Sequence, residues 1–94
     1  MKRYLINICE PRDSYNYVTV EQSLLKNHAI RMSDDLFLLQ VQNERLRMDE
    51  VIFAISQERK SDVIVVELDL KTCISWNFND SKKLQQIFDF FNEQ

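Results

Sequence analysis

Lys2-Arg3-Tyr4-Leu5-Ile6-Asn7-Ile8 stands at the start of the chain. Side chains alternate across a β-strand, so Tyr4, Ile6 and Ile8 share one side and Leu5 lies on the other. The stretch predicts a strand over residues 3–8 with both faces partly covered. What covers each face then decides the fold.

Glu10-Pro11-Arg12-Asp13-Ser14 breaks the strand. Asp13 or Ser14 can cap a following helix by accepting a bond from a free amide. Tyr17, Val20 and Leu24 recur at i, i+3, i+7 and predict a helix over residues 15–27, with Val18 and Leu25 offset by one. The β-branched Val18, Thr19 and Val20 weaken it. Asn27-His28 reads as its stop, because Asn tolerates the left-handed conformation. Residues 29–33 read as a short strand, Asp34-Asp35 as a turn without glycine, and residues 36–41 (LFLLQV) as a second firm strand. Asn43, Glu44 and Arg45 form a loop.

Met48, Val51, Ile52 and Ile55 follow helical spacing closely and predict a second helix running to Arg59. Lys60-Ser61-Asp62 connects to residues 63–68 (VIVVEL), which read as a buried strand. Ser75-Trp76-Asn77-Phe78 reads as a short extended piece and Asn79-Asp80-Ser81 as a capping cluster. Leu84, Ile87, Phe88 and Phe91 give a last amphipathic helix. No repeat of fixed period and no low-complexity segment is present.

The order β-α-β-β-α-β predicts an α+β fold of the ferredoxin-like class: an antiparallel sheet, an extended C-terminal tail and a final helix. It reads as one domain over residues 1–94, with a core at 2–70 and an extension at 71–94. In that topology both helices cover one sheet face. Apolar side chains alternate onto the other face too, which then makes a natural dimer surface.

The 94 residues include no glycine and one proline, Pro11. Ordinary glycine usage is about 7%. A Walker loop, a dinucleotide fingerprint and a nucleophile elbow all need glycine where backbone approaches phosphate or turns sharply. The glycine-dependent motifs of common RNA-binding modules are missing as well. A net charge of −3 argues against unaided tight nucleic-acid binding, which needs clustered Lys and Arg. No apolar run approaches a membrane span and no leader pattern is seen. Cys9 and Cys73 fit a reducing compartment, so a cytoplasmic location and no membrane contact are expected.

The opening Lys2-Arg3-Tyr4-Leu5-Ile6-Asn7-Ile8 resembles the KxYLIxY start of SinR-family proteins, grouped with the CRISPR-associated Cas-two type ferredoxin-like folds. Tyr17, Val20 and Leu24 are similar to their first-helix pattern. Asp35-Leu36-Phe37-Leu38-Leu39 resembles their strand, where Trp often stands at the place of Phe37. Glu50-Val51 with Ile55, the strand Asp62-Val63-Ile64-Val65-Val66-Glu67-Leu68 and the late Cys73-Ile74-Ser75-Trp76-Asn77-Phe78 follow in the same order. The resemblance covers residues 2–78. It implies a ferredoxin-like homodimer and a setting in mobile-element, toxin–antitoxin or defence and counterdefence systems.

Cas-two type nucleases carry an aspartate at the end of the first strand, where two copies meet and could hold a metal. Here Cys9 occupies that place, with Glu10 beside it. A thiol is a poor ligand for magnesium, which prefers oxygen. The expected function is therefore a small non-catalytic homodimeric binding or regulatory protein, with no cofactor and a protein partner, nucleic acid being a weaker one. The alternative is a metal-dependent nuclease using Glu10 as catalytic and metal-binding carboxylate at the dimer interface, with Mg or Mn.

Other groups have plainer readings. His28 at a helix end reads as a surface or capping residue rather than a base for Cys9. Cys9 and Cys73 fall at opposite ends of the expected sheet, beyond the reach of a bridge, and read as free thiols. Two Cys and one His do not make the usual four-ligand zinc site. Asp34, Asp35, Asp49 and Glu50 sit near element ends, and Asp49 and Glu50 suit a helix first turn. Arg45 and Arg47, with Arg12 and Arg31, are candidate recognition residues for a phosphate backbone. Glu44, Asp49 and Glu50 beside them offset that field, so a solvated loop is the plainer reading. Trp76 and Phe78 are interface or recognition candidates that pack on a sheet or reach a partner.

Overall fold

In the computed structural model, residues 1–68 and 81–92 are described. The elements follow in the order β1 (Lys2–Ile8), α1 (Tyr15–Lys26), β2 (Ile30–Ser33), β3 (Leu36–Val41), α2 (Met48–Ile55), β4 (Val63–Leu68) and α3 (Ser81–Asn92). The strands form one four-stranded sheet in the order β2-β3-β1-β4, antiparallel at every pairing. No described helix is long and apolar enough to cross a membrane. The strand expected at 29–33 begins one residue later, at Ile30.

β1 lies inside the sheet. Ile6 pairs with Phe37 on one side and Val65 on the other, and Tyr4 with Leu39 and Glu67. Tyr4, Ile6 and Ile8 are buried beneath α1 and α2, packed with Tyr17, Val20, Leu24, Phe37, Val51 and Ile55. Each large side chain buried there contributes about 1.5–3 kcal/mol relative to exposure. The alternation of β1 thus places its odd and even residues as the sequence predicts.

α1 starts where Ser14, in an extended conformation, accepts the Tyr17 N–H on its hydroxyl at 3.1 Å. It ends in a Schellman turn: the Ala29 N–H donates to the Leu24 carbonyl at 2.9 Å and the His28 N–H to that of Leu25 at 3.1 Å. The left-handed residue is His28 (φ 64°), not Asn27 (φ −94°), which corrects the sequence expectation. Register leaves the residue after Asn27 at the position glycine usually fills.

α2 is shorter than expected, ending at Ile55 rather than Arg59. The backbone turns left-handed at Gln57 (φ 55°), Glu58 (φ 61°) and Arg59 (φ 70°). A right-handed helix cannot continue through such residues, and each costs roughly 1–2 kcal/mol in an L-residue with a Cβ.

The second face of the sheet is not bare, which modifies the expectation of an uncovered dimer face. Phe90 of α3 is buried with Met32 and Leu38, and Leu5, Ile30, Leu36 and Leu68 pack partly against them. Met32 lies in a register shift of β2, between Arg31 and Ser33. On β4, Ile64 and Val66 stay 56% and 43% exposed. The short extended piece at residues 75–78, with Trp76 and Phe78, and Cys73 lie outside the described residues.

Candidate functional site

Several loops converge at the end of the sheet where β1 finishes. β1, the first turn of α1, the β2–β3 turn and the loop after α2 all meet there. The Ile8 N–H donates to the Asp35 carbonyl at 2.9 Å and the Cys9 N–H to the Asp62 carbonyl at 2.8 Å. Cys9 is an exposed free thiol whose sulfur accepts a bond from the Asn7 side-chain amide at 3.3 Å.

Glu10 is half-buried in the loop after β1. Its carboxylate accepts the Asn16 amide at 3.1 Å, and the same amide donates to the Lys60 carbonyl at 3.1 Å. Glu10 and Asn16 therefore brace the β1–α1 loop against the α2–β4 loop. Among the described residues, no three His, Cys, Asp or Glu side chains converge as metal ligands. Within one chain, one amide-bound carboxylate beside a thiol does not compose the oxygen-rich shell that magnesium or manganese takes.

The loop after α2 is organised by Ser56, only 4% exposed. Its carbonyl accepts the N–H groups of Lys60 at 3.0 Å and Ser61 at 2.9 Å, and its hydroxyl accepts that of Arg59 at 3.0 Å. Ser56 shares this turn with Phe53 and Ala54, whose carbonyls accept the N–H groups of Glu58 at 2.8 Å and Gln57 at 3.2 Å. A groove of about 490 Å³ runs between this turn and α1, with Tyr15, Thr19, Phe53, Gln57 and Lys60 on its walls. Ser61 is buried, and its hydroxyl has no hydrogen-bond partner among the described residues.

A second polar cluster sits under the same end. Arg31 pairs with Glu21, donates to the Asp34 carbonyl and to the Tyr17 hydroxyl, and lies 4.7 Å over the Phe37 ring. Tyr17 in turn donates to the Asp34 carbonyl at 2.7 Å. Burial works against the charge of Arg31, but its bonds to Tyr17 and Glu21 outweigh that and hold the guanidinium above its usual pKa. Arg31 is thereby committed to the fold, with its planar group stacked as well as hydrogen-bonded. Its separation from Glu21 by ten positions along the chain hid this pairing from the sequence.

Arg45 and Arg47 lie at the opposite end of the sheet from Glu10, in the segment between β3 and α2. The Arg45 side chain is exposed, and its N–H donates to the Asn43 side chain at 3.0 Å. Arg47 precedes α2 without a side-chain cap and pairs with Asp49 and Glu50. Its hydrogen bond to Asp49 is the main reason its pKa is raised and that of Asp49 lowered. The two carboxylates compensate Arg47 locally. Trp76 and Phe78 lie outside the described residues, so the structure relates neither to the arginines.

Among the described residues, the exposed large apolar side chains other than Met48 fall in two places. One is the β4 pair Ile64 and Val66. The other is the outer side of the helical layer, where Tyr15 is 83%, Val18 38%, Leu25 48% and Phe53 44% exposed. Compared with protein-family models, with curated proteins and with solved structures, the chain finds no match in any of the three.

Proposed function

We propose that the chain is a small non-catalytic homodimeric protein of ferredoxin-like architecture that works by recognising another macromolecule. The sheet order, read from the other edge as β4-β1-β3-β2, interleaves two β-α-β units and supports that architecture. The observation that carries the function is the apolar exposure of Ile64 and Val66 on a sheet face otherwise closed by Phe90. Such a patch on a small domain marks contact with a protein more often than with a charged polymer. The SinR-like pattern adds the setting: a regulator or inhibitor in mobile-element or defence systems. Its engaged carboxylate leaves Glu10 a bracing role in this reading.

Light scattering during size-exclusion chromatography tests the assembly. A species at twice 11.3 kDa is expected at micromolar concentration, and a clean monomer there overturns the dimer. Incubating the pure protein with single-stranded RNA and duplex DNA in magnesium or manganese tests the rest. Intact substrates are expected; cleavage that disappears in Glu10→Ala overturns the non-catalytic reading.

A further inference from the structure

α1 carries two apolar stripes. Tyr17, Val20 and Leu24 face the core. Tyr15, Val18 and Leu25, with Gln22 between them, fall on the opposite side at roughly 100° per residue. None of the second stripe belongs to the buried core of the described residues, and Tyr15 is 83% exposed. Water gains nothing from an aromatic and two aliphatic groups aligned on the outermost side of a helix.

The stripe is self-complementary. Its members at 15, 18, 22 and 25 are spaced three, four and three residues apart, the same from either end. A second copy of the helix laid antiparallel, centred near position 20, puts Tyr15 on the partner's Leu25 and Val18 on the partner's Gln22, each contact occurring twice. That is the condition for a two-fold contact. The ends agree in charge. Lys26, in the last turn of α1, comes beside Ser14 and Asp13 of the partner subunit, and neither Lys26 nor Asp13 has an ion pair among the described residues. Glu21 falls opposite Thr19, so no like charges meet. The helix dipoles also run antiparallel. Phe53, on the groove beside Tyr15, extends the patch.

We infer that the occupant of this surface is a second copy of the chain, docked α1 against α1 in that register. The inference rests on the homodimer reading above and supplies its contact surface, leaving the β4 patch for the recognised partner. One helix face with Phe53 covers less than the roughly 1,200 Å² of a standard interface. The dimer is therefore expected to persist at micromolar concentration and to dissociate on dilution below it.

Sedimentation over a concentration series decides it, with circular dichroism confirming each fold. Val18→Glu should weaken association at least tenfold. Adding Gln22→Lys should restore it, because the introduced carboxylate and ammonium meet across the two-fold axis. Adding Gln86→Lys instead, at an exposed position of α3, returns the same net charge and should not. Weakening without rescue by Gln22→Lys overturns the register. A dimer unmoved by Val18→Glu but broken by Ile64→Glu overturns the α1 surface and keeps the dimer reading. A wild-type monomer throughout the series overturns both.

Discussion

The Ser56 hydroxyl accepts the backbone N–H of Arg59 at 3.0 Å, across a turn in which three successive non-glycine residues are left-handed. This side chain and the Ser56 carbonyl hold the strained backbone in place. Ser56→Ala keeps the carbonyl and leaves the Arg59 N–H without that partner, so a loss of about 1–3 kcal/mol is expected. Glu58→Gly should go the other way and stabilise by about 0.5–1 kcal/mol, since glycine relieves the left-handed cost while losing more entropy on folding. Urea denaturation of the two variants checks both signs.

His28 occupies the left-handed position of a complete Schellman turn. Replacing it with glycine removes the Cβ penalty without touching either hydrogen bond. His28→Gly should stabilise by about 1 kcal/mol, which for a domain of this size raises Tm by about 4–8 °C. Differential scanning calorimetry reads the shift, and a lowered Tm would show that the imidazole itself contributes to the end of α1.

The Tyr4 hydroxyl is buried and has no hydrogen-bond partner among the described residues. Burial, with the Glu67 carboxylate adding to it, raises its pKa, so the phenol stays neutral in the working range. Tyr4→Phe removes an unpaired polar group and keeps the ring. Stability should hold or rise by about 1 kcal/mol, whereas Tyr4→Ala should cost about 3–5 kcal/mol. Chemical denaturation of the pair separates the two contributions.

The Arg47 hydrogen bond holds the Asp49 carboxyl below its ordinary 3.8. A carboxyl with a lowered folded-state pKa adds stability that is fully present above the unfolded value and is lost as pH falls through the folded one. Asp49→Asn should therefore flatten the acid limb of stability below that ordinary value and leave the neutral range with a small change. Both side chains are exposed, so added salt should shrink the difference. Thermal melts between neutral and acidic pH, at low and high salt, measure it.

Much of this architecture is legible because it depends on short-range pattern. The alternation of Tyr4, Ile6 and Ile8 fixes the buried face of β1, and the Tyr17, Val20, Leu24 stripe fixes how α1 lies on it. Residues 63–68 read as a strand because they are branched and apolar, but the burial expected of that strand does not hold, since Ile64 and Val66 are 56% and 43% exposed. The end of α2 was not legible. Met48, Val51 and Ile55 give the helix its period, but the stop depends on Ser56 bonding forward to Arg59, Lys60 and Ser61, and no glycine marks it. Glu10 was legible as a polar group at the end of β1. Its commitment to Asn16 was not, since that bond depends on how the β1–α1 loop meets the α2–β4 loop. The Arg31–Glu21 pair joins a strand to a helix and needs the packed layers to exist first.

β1 is an inner strand whose two neighbours come from distant parts of the chain. Tyr4 meets Leu39 on one edge and Glu67 on the other. During synthesis the strands up to Val41 can assemble as a three-stranded sheet, with β1 temporarily at its border. The final seat of β1 is closed only when residues 63–68 have left the ribosome. Until then its second edge offers unpaired N–H and C=O groups to any passing strand. The nascent chain is thus most prone to mispairing between the emergence of Val41 and that of residues 63–68.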